Sequence, residues 1–317
     1  MNVLVTGGTG LIGSRVARLL VATGHRAVLL DNAPRPLDAG STSSSIVTER
    51  ASIEALHDVI RIIKAHAIDV IVHLAGMLGG SSEANPLTAS HINVVGTMNV
   101  FEAARLCAVR RIVSASSMVV FGSDDEYGTL PITDDSPRLG AKRAPMYSAG
   151  KIYMEMAAEL YRERYGVMVV GLRPSIVYGA GRESGATAFA SELIENPALG
   201  KPAHVASGNA YVSMVYVDDV AAAFCALAFA PETAFERHRF FNTGGDRCRI
   251  RDIADAVMNV IPGASITVEC GEERDVMGYP SRIADNALRE EVGFTRRYTP
   301  LATGIGAYID AVRGARG

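Results

Sequence analysis

Thr6-Gly7-Gly8-Thr9-Gly10-Leu11-Ile12-Gly13 follows the apolar run Asn2-Val3-Leu4-Val5 and leads into a long amphipathic stretch. This order of strand, glycine turn and helix decides the fold. Gly7 permits the tight turn, Gly10 admits a close approach of ligand to backbone, and Gly13 lets helix and strand pack closely. The helix then begins with unpaired N–H groups and a positive dipole end, a ready site for phosphates. Gly7, Gly10, Leu11, Ile12 and Gly13 are therefore the first candidate binding residues.

Outward from this turn, short apolar strands alternate with longer helices. Strands are expected at 2–6, 26–31, 69–74, 110–116 and 167–172, and helices at 11–23, 53–66, 86–106 and 147–165. Such alternation predicts an α/β, Rossmann-type doubly wound parallel sheet. After Pro174 the rhythm breaks. The stretch 211–217 reads as a strand, 219–229 as a helix, 239–242 as a further strand, and 251–261 and 300–313 as helices. The expected division is a nucleotide-binding domain over 1–174, with 211–244 returning to it. A smaller substrate lobe then takes 175–210 and 245–317.

Asp31 ends the second strand, 18 positions beyond Gly13, with Asn32 after it. A carboxylate there accepts both ribose hydroxyls of NAD and repels the 2′-phosphate of NADP, and the nearby Arg35 softens that preference. Tyr147-Ser148-Ala149-Gly150-Lys151 sets a phenol and an ammonium one helical turn apart on a shared face. A tyrosine, with an ordinary pKa of about 10, needs such a neighbour to act as a base near neutrality. Ser117 follows the strand 110–116 at its carboxyl end, where parallel sheets place ligands, and can hydrogen-bond a reacting oxygen. Ser114 and Ser116 read as turn chemistry.

The 317 residues are 48% hydrophobic and 21% charged, with net charge −3 and a pI near 6.2. No run is long enough to span a bilayer, and no basic cluster suits nucleic acid or a membrane surface. Cys107, Cys225, Cys248 and Cys270 lack metal-ligand spacing, so no metal is expected and reduced thiols in a cytoplasmic setting are. Met1 leads straight into the first strand, which argues against a cleavable leader.

Taken together, the glycine turn, Asp31, His73-Leu74-Ala75-Gly76, Asn93-Val94-Val95-Gly96-Thr97, Ser117 and Tyr147-x-x-x-Lys151 resemble the extended short-chain dehydrogenase/reductase superfamily, in its NAD-dependent epimerase/dehydratase family. Arg173-Pro174-Ser175-Ile176-Val177-Tyr178-Gly179 and Tyr216-Val217-Asp218-Asp219-Val220-Ala221 extend the likeness. The resemblance implies Tyr147 as acid/base, Lys151 as its partner and a ribose ligand, and Ser117 on the substrate oxygen. It places Leu74, Ala75, Gly76, Asn93, Ser116, Pro174, Ile176 and Val177 along NAD. His73 reads as a buried strand-end residue as readily as a participant, and Asp218 and Asp219 as N-caps.

Departures from the family narrow the expectation. Dehydratases carry Asp-Glu where this chain has Met118-Val119, which argues against water elimination. The arginine that nucleotide-sugar epimerases carry near Tyr216 is absent from Tyr211-Val212-Ser213-Met214-Val215, which weakens a nucleotide-sugar substrate. Thr48-Glu49 stands where the family has Gly-Asp after its third strand, with a carboxylate able to reach the adenine amine. The chain is most similar in pattern to small-substrate dehydrogenases acting on L-threonine or sugar acids. That likeness puts Ser81, Ser82, Thr187 and Tyr279 in a small pocket, with Arg182 or Arg274 clamping a carboxylate. The expected activity is hydride transfer between NAD and a hydroxyl-bearing carbon. A sugar or nucleotide-sugar epimerase and a non-catalytic NAD-binding scaffold are the alternatives. A homodimer is expected through helices 86–106 and 147–165, with Met98, Val100, Phe101, Met154, Met156 and Leu160 at the contact.

Overall fold

In the computed structural model, which describes residues 1–36, 43–181, 188–269 and 278–314, seven strands form one parallel sheet in the order β10-β6-β5-β4-β1-β2-β3. Its first half runs β1 (Asn2–Thr6), α1 (Leu11–Ala22), β2 (Arg26–Asp31), β3 (Ile46–Arg50), α2 (Leu56–Ala65) and β4 (Val70–His73). A helical passage follows: α3 (Gly79–Ala84), α4 (Pro86–Ala89), a π-helical turn over Ser90–Gly96, and α5 (Thr97–Leu106). Next come β5 (Arg111–Ala115), α6 (Pro145–Tyr165), β6 (Val169–Arg173) and β7 (Ile176–Tyr178). The remainder is α7 (Ala188–Ala198), β8 (Ala203–Ala206), β9 (Tyr211–Tyr216), α8 (Val217–Phe229), β10 (Phe240–Asn242) and β11 (Asp246–Arg249). It ends with α9 (Ile250–Val260), β12 (Ile266–Glu269), α10 (Asn286–Glu291) and α11 (Leu301–Gly314).

The chain leaves β1 toward β2 on one side and later returns to β4 on the other, so strand order reverses at β1. That reversal opens a crevice at the carboxyl ends of the strands, where ligands bind in folds of this kind. Val70 to His73 are all buried, as both faces of a central parallel strand require. One sheet face is covered by α1 and α8 through Val16, Leu20, Val220, Phe224 and Leu227. The other is covered by α2, α5 and α6 through Val59, Ile62, Val100, Phe101 and Met154. A third apolar cluster joins β7, β9, α7, α9 and α11.

Three details differ from the sequence reading. The segment 211–216 does not join the large sheet; β9 pairs parallel with β7 and antiparallel with β11 in a separate three-stranded sheet. Only from Val217 does the chain rejoin the first layer, α8 packing on α1 and β10 pairing with β6. Thr48 and Glu49 lie inside the edge strand β3 rather than after it, and Glu49 is held by His66 at 2.7 Å. The expected helix 53–66 starts only at Leu56, which leaves Ser52, Ile53 and Glu54 as loop.

Candidate active site

The turn after β1 is built as its glycines require. Gly7 has φ +65, a region that side chains disfavour, and its N–H reaches Leu30 O at 2.8 Å. A Cβ on Gly13 would lie 2.3 Å from Gly7 O, so the helix can seat this closely only without one. Gly10 caps α1 with no side-chain hydrogen bond, and the Leu11, Ile12 and Gly13 amides have no backbone acceptor among the described residues. They face a cleft of about 590 Å³ lined by Gly7, Gly10, Leu11, Ile12 and Gly13. Its far wall is Leu74, Ala75 and Gly76, and its ends are Asp31 and Tyr147.

At the Asp31 end, one carboxylate oxygen accepts the Thr9 hydroxyl at 2.7 Å and the other the Ala33 N–H at 3.1 Å. Asn32 and Arg35 line this end together with Ser52, Ile53 and Glu54. Glu49 is not among the lining residues and instead faces His66 and Arg61. Asn99 donates to Ile53 O and Glu54 O and so pins their loop.

At the other end Tyr147 and Lys151 rise from the first turns of α6. Pro145 suits that position because its missing N–H has no partner to lose. Glu83 accepts the next two amides, Met146 N at 3.0 Å and Tyr147 N at 3.2 Å. Lys151 Nζ lies 5.4 Å from the centre of the Tyr147 ring and donates to Ala115 O at 2.6 Å. Burial pushes the Lys151 ammonium down to about 8, with the negative Glu155 offsetting part of that fall. Ser117 opens a 3₁₀ turn over Met118–Val120 and accepts the Val119 N–H at 3.3 Å, which leaves its own hydroxyl proton to donate. Ser116 donates its hydroxyl to Glu155 at 2.6 Å. Ser114 lies within β5 and donates to Met154 Sδ, so neither serine does turn chemistry.

The wall 74–79 is fixed from behind by a chain of hydrogen bonds whose donors can be assigned. The Thr97 hydroxyl donates to Asn93 O at 2.7 Å, so His73 Nε2–H donates to Thr97 Oγ1 at 3.1 Å. Thr6 Oγ1 accepts the Ala75 N–H and donates to His73 Nδ1 at 2.7 Å. His73 is thus neutral, its pKa pushed to about 3 by burial and the Lys151 charge. Its role is to link β1, the cleft wall and the π turn.

Asn93 acts on the wall from behind. It is buried behind the wall rather than lining the cleft, accepting Met77 N–H at 2.8 Å and donating to Met77 O at 3.0 Å. Ser82 is likewise buried, donating to Met77 O at 3.2 Å, while Ser81 is exposed on the outer side of α3. Neither serine is among the residues that line the cleft. Tyr279 does line the cleft, as do Ser116, Pro174, Ile176 and Val177. Thr187, Arg182 and Arg274 lie outside the described residues. Met77, Leu78, Met118 and Val119 make the Tyr147 end largely apolar, a feature that polar motifs did not flag. Asp218 pairs with Arg15 at 2.8 Å, and Asp219 accepts the Arg297 and Tyr298 amides, so neither caps α8. No helix of the described residues is long and apolar enough to cross a membrane.

Residues 3–244 match the model of the NAD dependent epimerase/dehydratase family. The UDP-glucose 4-epimerase of Mycolicibacterium smegmatis is 30% identical over 99% of both chains. The UDP-glucose 4-epimerase of Corynebacterium glutamicum is 26% identical over 96% of this chain and 93% of its own. Among solved structures, Thermus thermophilus UDP-glucose 4-epimerase in complex with NAD superposes with TM-score 0.85 at 24% identity, covering 99% of this chain and all of that one. A GalE-like L-threonine dehydrogenase from Cupriavidus necator does so with TM-score 0.83 at 22% identity, covering both chains fully. This chain belongs to the NAD dependent epimerase/dehydratase family, a family of enzymes.

Proposed function

We propose that this enzyme oxidises a hydroxyl-bearing carbon of a small polar compound, with Tyr147 as the base. One observation carries the reading. Tyr147 and Lys151 from α6 and Ser117 from the end of β5 face a cleft whose other end is the glycine turn and Asp31. The amides of Leu11, Ile12 and Gly13, without a backbone acceptor among the described residues, the Gly7–Gly13 contact and Asp31 suit a dinucleotide. NAD held there supplies the hydride acceptor. Asp31 would hold its ribose, and Leu74 to Gly76 and Pro174 to Val177, which line the cleft, would flank it.

Tyr147 then takes the substrate's hydroxyl proton. The Lys151 ammonium favours the tyrosinate through the field of a nearby positive charge. Ser117 donates a hydrogen bond to the same substrate oxygen and stabilises the charge that develops on it. Met118 and Val119 offer no acid or base, so the site carries out oxidation rather than water elimination. Tyr279 lines the cleft and is assigned to the substrate end.

A second reading, a UDP-sugar 4-epimerase, is favoured by the 30% identity to the Mycolicibacterium enzyme over almost the whole chain. The missing arginine before Tyr216 weighs against it: β9 presents Val212, Ser213 and Met214, all buried. A screen of NAD against hydroxy acids, aldoses, uronates and amino alcohols, with UDP-glucose and UDP-galactose alongside, decides between the two. Net accumulation of reduced cofactor with a small substrate supports the dehydrogenase. UDP-sugar interconversion without accumulation replaces it with the epimerase.

A further inference from the structure

Glu155 lies one turn beyond Lys151 on α6 and is fully buried. All its acceptor capacity is used. Oε1 takes the Ser116 hydroxyl at 2.6 Å and Arg173 Nε at 2.8 Å; Oε2 takes a second Arg173 nitrogen at 2.8 Å and Arg138 at 2.9 Å. Ser116 adjoins Ser117, and Arg173 adjoins Pro174, where the opposite cleft wall begins. One carboxylate therefore joins the helix bearing Tyr147 and Lys151 to two strand ends that shape the cleft. It is set against three cations, Arg173, Arg138 and Lys151. Around this cluster, the buried neutral His73 faces Lys151, Tyr147 shares α6 with it, and Asp134 faces Arg173, its backbone oxygen accepting from that guanidinium.

We infer that Glu155 is a positioning residue that keeps the Lys151 amine charged and fixes the Ser116–Ser117 strand end against α6. The part concerning catalysis rests on the proposed function; the coupling of Glu155 to Lys151 does not. Burial works to raise the Glu155 carboxyl, but its bonds from Arg173, Ser116 and Arg138 outweigh this and hold it ionised below the usual range. Its charge is in turn what offsets the desolvation of Lys151. Without it, two guanidinium groups would face a buried ammonium with no counter-charge, and the ammonium would shed its proton at lower pH. An ion pair of purely structural use would support the fold without setting that titration.

The test is competitive acetylation of Lys151 with acetic anhydride across pH, read by mass spectrometry on the intact chain, since only the free amine reacts. The wild-type midpoint is expected at about 8. Glu155→Gln, which keeps the shape and loses the charge, should lower it by about one unit and speed acetylation at neutral pH by up to about tenfold. Arg138→Met, at a half-exposed site, removes a competing cation and should raise the midpoint by a few tenths of a unit, on the order of a screened surface charge. An unmoved midpoint in Glu155→Gln overturns the inference. Should that variant not fold, Arg138→Met decides alone: an upward move supports the coupling, and no move or a downward one overturns it. Turnover does not enter this readout, so failure of the Tyr147 assignment would be seen separately, as a Tyr147→Phe enzyme that still turns over.

Discussion

Lys151 Nζ sits 5.4 Å from the centre of the Tyr147 ring, while it donates its hydrogen bond to Ala115 O at 2.6 Å. The ammonium is thus held by a strand-end carbonyl and acts on the phenol through space. Tyr147→Phe keeps the ring and removes the proton carrier. Turnover should fall by roughly 10²–10⁴-fold, the usual contribution of a general acid–base group, with NAD affinity little changed. Ser117→Ala should cost less, since one hydrogen bond is lost. Turnover of Tyr147→Phe close to wild type would place the base elsewhere.

Lys151 also carries a stability cost. Its folded pKa of about 8 lies below the ordinary 10.5, so folding disfavours its charged form. That penalty is fully present below about pH 8 and fades as pH rises toward 10.5. Lys151→Met should therefore be more stable than wild type at neutral pH, by up to about 3.5 kcal/mol at about 1.4 kcal/mol per pKa unit, while losing turnover. Denaturant melts at neutral and alkaline pH measure this, and the gain should shrink in the alkaline series. A less stable Lys151→Met at pH 7 would contradict the burial argument.

Asp31 holds the Thr9 hydroxyl and the Ala33 amide, leaving its carboxylate at the cleft end beside Arg35. Wild type should bind NAD more tightly than NADP, and Asp31→Ala should narrow the gap. Calorimetry with both dinucleotides is sufficient, and a wild-type preference for NADP would refute the placement.

A homodimer is proposed through the outer face of the α4–α6 region. Val100, Phe101 and Met154 are buried in the core and Met98 is half-buried, so those four expected contact residues pack inward. Met156 and Leu160 are exposed, as are Leu87, Val95, Met146 and Tyr153. Sedimentation should show a dimer at micromolar concentration, and Met156→Glu with Leu160→Glu should yield a monomer. A wild-type monomer throughout that range would rule the dimer out.

The parallel sheet, the glycine turn and the Tyr147 helix were legible in the sequence because each carries a local signal: continuous apolar strands, a forced positive φ, a one-turn pairing. β3 was not, since none of Ile46 to Arg50 is buried and an edge strand leaves no apolar run. The place of β9 was hidden for the opposite reason. Its buried residues suit either sheet, and only tertiary pairing with β7 and β11 decides. Resemblance placed Asn93 and Ser82 at the site, but their bonds to Met77, 16 and 5 positions away, belong to no motif. Glu83 and Glu155 act across 63 and 39 positions, on Met146 and Ser116 respectively, distances at which no sequence spacing speaks.

The π turn over Ser90–Gly96 gives the helical passage from Pro86 to Leu106 a sensitivity to length that its composition does not reveal. Each helical residue advances the screw by about 100°, so deleting one residue between Ala89 and Asn93 would relax the wide turn to an ordinary one and swing Asn93 away from Met77. Helix content would survive, and so would the apolar stripe of α5, while the Met77 wall lost its clamp. A one-residue deletion here is thus a reading-frame change in three dimensions, silent to circular dichroism and loud at the cleft.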